Sequence, residues 1–572
     1  MRSSFFGLTV ATQGLYTAQA SLDVTNHNIS NAETKGYSRQ YAMVQASRPL
    51  PDSARGMVGT GAEVIGISQY RSTYIDNKYW SMTTDLGQYE VKNELIGQLE
   101  LLFNEPTDNG YNETMGTLFA NLQGLSTSPS ESGKISNLID SATAFAEYYN
   151  NLSEQISDYQ RDANFGVKAS VTEINFVAGQ LASVNNQIAN MELNGGAAND
   201  LRDERVRLVD QLSKIINIDA KEVTDVNGKK KFLVAINGQN LVDGNATNFL
   251  EVVPRDTLNN PEDQPDLYDV YWQSGKKLYL NNTTASGKLK GYIDVRDGNN
   301  TENFKGDVVI PQPLPIIPLT IVIGSVTRHD IPTKGTLTLD NVSVAYDGIS
   351  YNEGANEMTF TLLASAPAGV TTAQIGESVD FKGIPYYKQQ LNEFVRTMAK
   401  EFNRIHKLGE GGTGKELFTY KGFTGAPPLT ETSDFSYDAI NIENFSFSAD
   451  IIKDNNLLKT SAVAGAGEGA NDLLLSMVNI KHDVNLFKKG EPDNFMQSVI
   501  SEMAIDVKKA NGFETGQANL AKLIDNQRQS FSSVDLNEET ADMLKYQQAY
   551  SLSAKMISVM SDIYDVTIQL VR

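Results

Sequence analysis

Both ends of this chain carry apolar side chains at a strict sevenfold spacing. Near the start, Leu8, Leu15, Leu22 and Ile29 fall seven apart, and Ala11, Ala18, Thr25 and Ala32 each follow by three. At the far end, Leu536, Met543, Tyr550, Ile557, Tyr564 and Val571 keep the same interval. This recurrence predicts helices that wind about each other, at termini that in most domains fray. The small Ala11, Ala18 and Ala32 allow a partner to approach closely, and Asp535 with Glu538 predicts a capping box where the tail helix begins. Further apolar residues, Leu552, Met556, Val559, Ile563, Val566 and Leu570, lie off the C-terminal seam. Burying one stripe does not offset the backbone entropy of ordering so long a helix. More than one face must therefore be covered, with neighbouring subunits as the natural source. The tails are expected to be disordered in the free subunit and to fold on assembly; the alternative is that they pack on their own rod.

Between the tails the period changes several times. Residues 40–75 read as short strands and loops. Helical spacing then runs through Met82, Leu86, Tyr89, Ile96, Leu99 and Phe103 to a stop at Pro106, and through Met115 to Leu125 to a stop at Pro129. A longer stripe from Phe145 to Met191 ends at Gly195-Gly196 and predicts a rod about 80 Å long. Leu201, Leu208, Leu212 and Ile215 mark a fourth helix. Near 219 the period falls to two, and Asn237-Gly238 signals a hairpin. Residues 301–382 are also strand-like, with Pro311-Gln-Pro-Leu-Pro315 at an edge or linker. Helical spacing returns at Leu391–Ile405, Phe495–Val507 and Leu520–Phe531.

With 572 residues and a net charge of −22, the chain is too long for one core and too acidic to favour nucleic acid or an anionic membrane as partner. It has no cysteine, which excludes disulfides, thiolate metal sites and cysteine nucleophiles. The most apolar run, Ile316–Ile323, is short and broken by Pro318, so no membrane span is expected. Residues 2–20 faintly imitate a signal peptide, but Thr9, Thr12 and Gln13 interrupt the apolar region and the heptads run on to Ile29. An uncleaved N-terminus is expected.

Candidate catalytic chemistry does not hold together. Gly409-Glu-Gly-Gly-Thr-Gly-Lys415 fits most of a phosphate-binding loop, but Glu416 stands where Ser or Thr is required and a helix precedes it. It reads as a glycine-rich helix exit. His27, His329, His406 and His482 have no metal-ligand spacing, and Asp294, Asp297 and Asn299 lack the acidic twelfth ligand of a calcium loop. No catalytic, cofactor or metal residue is assigned.

The segment Asn26-His-Asn-Ile-Ser-Asn-Ala-Glu-Thr-Lys-Gly-Tyr-Ser-Arg-Gln40 and the tail Val534–Ile557 resemble the axial proteins of the bacterial flagellum. Asn199-Asp-Leu-Arg-Asp-Glu-Arg205, Gly291-Tyr-Ile-Asp-Val-Arg-Asp297 and Gly383–Phe394 are similar to blocks of the hook-associated proteins within that family. About 80 residues separate the last two blocks where the family has a short connection, so 301–382 is expected to be inserted. The resemblance implies a non-enzymatic subunit joining hook to filament. It implies type III export to an extracellular flagellum, a periplasmic organelle remaining open. Its partners would be copies of itself in a ring, the hook protein below, a second junction protein and the filament above, and an export chaperone on the C-terminal helix. A hook or distal-rod protein, or an exported adhesin or hydrolase with a coiled-coil stalk, is the alternative. The expected assembly residues are Leu8, Ala11, Leu15, Ala18, Leu22, Asn28, Ile29, Asn31, Gly36 and Tyr37, with Leu536, Met543, Tyr550, Ile557, Tyr564 and Val571.

The expected fold is multidomain α+β, with terminal coiled-coil helices, an elongated helical-bundle rod and inserted outward β domains. The divisions are 1–75 with 533–572 (axial core), 76–218 with 287–300 and 383–532 (rod), 219–286 (β) and 301–382 (inserted β).

Overall fold

The computed structural model describes residues 6–52, 56–103, 110–193, 196–224, 230–256, 258–260, 263–281, 285–301, 303–309, 319–327, 331, 334–340, 342–352, 354–423 and 437–571. The chain is mixed helix and strand. Helix α1 (Phe6–Ser30) leads into the hairpin β1–β4 (Gln40–Ala46 with Ala62–Gln69), whose tip carries β2 (Leu50–Asp52) and β3 (Gly56–Val58). Helices α2 (Thr73–Phe103), α3 (Tyr111–Thr127), α4 (Ser132–Glu192) and α5 (Asn199–Ile215) follow. The 61 residues of α4 span about 90 Å. Its buried positions recur every three or four residues along that length, so one helix contributes to two cores in turn.

The first core gathers α3, the N-terminal half of α4, α7 (Ile384–His406), α10 (Asp472–Asn479) and the start of α11 (Pro492–Ser532) around Phe145, Tyr149, Phe394 and Phe402. The second joins Val171, Ile174 and Leu181 of α4 to Leu208 and Leu212 of α5. It also takes in the sheet β5–β6–β7–β8 (Asp219–Thr224, Lys230–Ile236, Gln239–Asp243, Ala246–Thr247) and the pair β9–β10 (Leu250–Pro254, Tyr268–Trp272). Residues 219–286 are therefore not an outward domain, as their change of period suggests. A four-stranded sheet cannot bury its apolar face alone, and Phe232, Val234 and Trp272 bury theirs in the same core as the rod.

The third core is a separate cluster of buried side chains. After α6 (Lys288–Asp297), β11 (Lys305–Val308), β12 (Leu319–Thr327), β13 (Gly335–Leu339), β14 (Val342–Asn352), β15 (Glu357–Leu362) and β16 (Thr372–Gln374) close into a barrel in the order β11-β12-β15-β14-β13-β16. Alternate residues Ile321, Ile323, Leu337, Leu339, Met358 and Phe360 fill it. The chain enters and leaves the barrel side by side: Gly383 N donates to Gly298 O at 3.0 Å. A Cβ on Gly298 would lie 2.3 Å from Asp294 O, and one on Gly383 2.4 Å from Val295 O, so both positions require glycine. Pro106, Gly195, Lys229 and Pro311–Pro315 lie outside the described residues.

After α7 come the short α8 (Gly409–Gly412), the pair β17–β18 (Phe418–Tyr420, Phe445–Phe447) and α9 (Ala449–Lys453), ahead of α10 and α11. The residues that imitate a phosphate loop form a turn fixed by His406. Its Nδ1 meets Lys415 O, and its Nε2 accepts from Lys459 N at 2.8 Å. Lys415 itself pairs with Asp450 at 3.0 Å. Likewise Asp294 is held by Lys92 (2.6 Å) and Lys290, leaving nothing of a calcium loop.

The charge knot under the barrel sets an acid limit on the fold. Arg255 and Arg296 both grip the buried Asp297 in two-pronged pairs. Burial alone would raise the Asp297 carboxyl, but the two guanidiniums outweigh it and hold it well below the usual carboxylate range. A depressed folded value contributes stability above the ordinary carboxylate pKa and loses it as pH falls through that range. Denaturant midpoints measured against pH should therefore fall between about pH 5 and pH 2. Asp297→Asn should lower stability at neutral pH and flatten that slope; an unchanged slope would contradict the assignment.

Candidate assembly interface

Helix α1 presents an unbroken ladder of small residues, Gly7, Ala11, Gly14, Ala18, Ser21, Thr25 and Asn28, spaced alternately four and three apart. Ala11, Ala18, Ser21, Thr25 and Asn28 are buried. Along this ladder lies α12 (Leu536–Val571), the C-terminal helix. A Cβ on Gly7 would meet Met560 Cε at 2.8 Å, and one on Gly14 would sit 3.1 Å from Ser553 Oγ. Asn28 meets Glu539, so the two helices run antiparallel. The small side chains bring the backbones close. The larger Leu8, Leu15, Leu22 and Ile29 lie beside the ladder, half-buried. On its other side α1 packs on β1 and β4, where Thr17 Oγ1 donates to Ala62 O at 2.9 Å.

On α12 the facing residues include Met543, Tyr546, Ser553, Ile557, Met560 and Tyr564, all half-buried; Tyr550 on the same stripe is 37% exposed. Leu536, at the helix start, is exposed, and Val571 closes the helix with its side chain outside the described residues. The capping expectation is half met: Asp535 Oδ1 accepts from Asn537 N at 2.8 Å, whereas Glu538 turns to Arg39 instead. The second stripe, Leu552, Met556, Val559, Ile563 and Val566, stands in solvent at 44–65% exposure. Five large apolar side chains in a row on one helix form a patch that monomeric proteins rarely leave open.

The two helices are fastened to the body at one polar knot. Asn28, 1% exposed, uses both ends of its amide: Nδ2 donates to Gln40 O (2.9 Å) and Glu539 (3.1 Å), and Oδ1 accepts from Gln40 N (2.9 Å) and the Tyr37 hydroxyl (2.8 Å). Arg39 reaches Glu538 and Glu539, each at 2.6 Å, while its N–H donates to Ser532 O. The next residue back joins α5: Ser38 donates from N and Oγ to Asp203, both at 2.8 Å. Arg71 bridges Asp203 and Asp76. Burial, then the carboxylates of Asp200, Asp203 and Glu539, push the Tyr37 phenol upward, so it remains a donor. Burial also raises Asp203, against the pull of Ser38 and Arg71. Asn31 hydrogen-bonds His27 O at 3.0 Å just past the helix end, and Gly36 takes φ +87° in the exposed turn.

Segments 26–40 and 199–205 and the start of the tail 534–557, which the sequence resemblance singles out, thus meet at one place. Two family descriptions match the chain, "Flagellar hook-associated protein FlgK helical domain" over residues 96–306 and "Flagellar basal body rod FlgEFG protein C-terminal" over 526–570. The chain is 25% identical to flagellar hook-associated protein 1 of Bacillus subtilis, covering 99% of this chain and 98% of that one. With the Escherichia coli protein of the same name it is 24% identical, covering 98% of each.

Over nearly its whole length the chain is similar to flagellar hook-associated protein 1 of both organisms.

A solved structure of the hook junction protein FlgK from Burkholderia pseudomallei is 14% identical, covering 79% of this chain and all of the other at a TM-score of 0.48. Gly7, Gly14, Ser21, Ser38, Arg39, Asp203 and Glu539 of this interface escape the sequence reading as site residues. The alternating four-three ladder of small residues is the available signal for the first three. The knot also makes a test. Arg71→Ala removes the cation shared by two carboxylates, Asp76 and Asp203, whose side chains are 3% and 8% exposed, leaving Asp203 only its Ser38 donors and Asp76 only Arg528 at 3.8 Å. It should cost about 3 kcal/mol in urea unfolding. Arg71→Lys should recover only part, since an ammonium cannot fork to both; an unchanged midpoint in Arg71→Ala would refute the role.

Proposed function

We propose that this chain is the structural adapter joining flagellar hook to filament, assembled through its paired terminal helices and without enzymatic turnover. The observation that carries this reading is the end-to-end relation to proteins named flagellar hook-associated protein 1. The uncovered stripe on α12, at the end of the chain where both termini meet, supports it physically: that face is finished only when other subunits supply its wall. Copies of the same chain in a ring are the natural source, with the hook protein below and a second junction protein and the filament above. Before assembly the same stripe would need a chaperone, and the subunit would leave by the type III route into an extracellular organelle. Among the described residues no helix is long and apolar enough to cross a membrane.

The paired termini form the axial part (1–75 with 533–572). The bundle of 76–218, 287–300 and 383–532, with 219–286 packed on it, forms the rod, and 301–382 an appended barrel. A hook or distal-rod protein is the weaker reading, because the hook-associated helical domain description matches residues 96–306, which take in most of the long helical body.

Deleting the gene should yield cells with hooks, no filaments and flagellin in the medium. Complementation with Val559→Asp should restore export of the subunit but not motility. Normal swimming of the deletion strain would overturn the reading.

A further inference from the structure

The α1–α12 seam has a register problem. The ladder on α1 repeats every seven residues, and so does the stripe on α12. Gly7 makes room for Met560 and Gly14 for Ser553. Sliding one helix by a heptad, about 10 Å, would set Met560 on Gly14, again a glycine, and Ser553 beside Ser21. Apolar packing alone scarcely separates the two arrangements. Within one chain α1 could follow such a shift only by unravelling the turn at residues 31–38 and giving up the Thr17 bond to Ala62, whereas a helix supplied by a neighbouring copy would have no tether at all.

What does not repeat is the polar end. Asn28 and Glu539 are the buried hydrogen-bonded pair of the seam, at 1% and 2% exposure. Arg39 holds Glu538 and Glu539 and lies 3.6 Å from Asp542. After that one-heptad slip the Asn28 amide would face Tyr546 rather than a carboxylate, and Glu539 would be carried past the helix end, away from its amide partner. Unpaired buried polar groups are costly. A single polar pair inside a repeating apolar seam is a known means of fixing register.

We propose that Asn28, Glu539 and Arg39 select the register of the terminal helices, admitting one of several heptad alignments that the apolar stripes accept. These residues act by positioning, and the inference goes beyond the adapter role: it concerns which alignment forms, wherever the subunit is placed. A flagellar junction with the wrong alignment would offer its second stripe about 10 Å out of step with its neighbours.

The cysteine-free chain permits a direct test by disulfide trapping in the full-length protein, which captures even marginal pairing. A Cβ on Gly14 lies 4.0 Å from Ser553 Cβ, within disulfide reach. Gly14→Cys with Ser553→Cys reports the native register; Gly14→Cys with Met560→Cys, or with Tyr546→Cys, reports a one-heptad slip in either direction. In the otherwise native chain the first pair should form at least about tenfold faster than the other two. Adding Asn28→Leu, Glu539→Leu and Arg39→Ala should bring a slipped pair to within about twofold of the native one, while Glu539→Gln, which keeps the hydrogen-bond acceptor, should preserve native trapping. Native trapping alone in the Leu background would overturn the proposal, as would equal trapping of all pairs in the native background. No disulfide in any pair of the Leu background would overturn it too, because the polar residues would then hold the helices together rather than choose between alignments. None of these results alters the gene-deletion phenotype, so failure here is separable from failure of the adapter reading.

Discussion

The amide of Asn28 is where the two ends of the chain become one structure. It accepts and donates four hydrogen bonds, to Tyr37, to both backbone groups of Gln40 and to Glu539, 511 residues away. Arg39 and Ser38, consecutive residues just past the turn, extend the bonding to α12 and to α5. A buried network of this kind is stable only when every member is satisfied. The termini, the first hairpin and the start of the rod are therefore held in one geometry or released together.

From that knot outward the physics changes character. Towards the rod, cores of large aromatic and aliphatic side chains follow one another along α4, each complete within the chain. Towards the tips of α1 and α12, small residues allow close backbone approach but bury little area, and the apolar stripe beyond them meets only solvent. Stability thus falls from the knot towards the chain ends, where cooperative opening costs least. A subunit with a finished body and an uncovered tail suits the proposed adapter role, in which the body would keep its shape while the tail took its last contacts from its neighbours.

Much of this is legible in the residue pattern. The 3.6-residue period marks α2, α3, α4, α5, α7 and α11, and Asn237-Gly238 does turn β6 into β7, with φ +48° and +79°. Leu8, Leu15, Leu22 and Ile29 stand out because large apolar residues dominate any periodicity, whereas the close seam is made by glycine, alanine and serine beside them. The strands of 219–286 look independent because their period is two, yet period says nothing about which surface a sheet packs on. Closure of the barrel depends on pairing β11 with β16, a long-range choice that local spacing does not encode. The same limit hides the bond between Asn28 and Glu539.

The central claim is that α12 is covered on one side by its own chain and on the other only by assembly. Hydrogen–deuterium exchange of residues 550–571, in the isolated subunit and in assembled flagellar junctions, tests it most directly. The account predicts fast exchange in the isolated subunit and strong protection in the junction. Strong protection already present in the isolated subunit would contradict it.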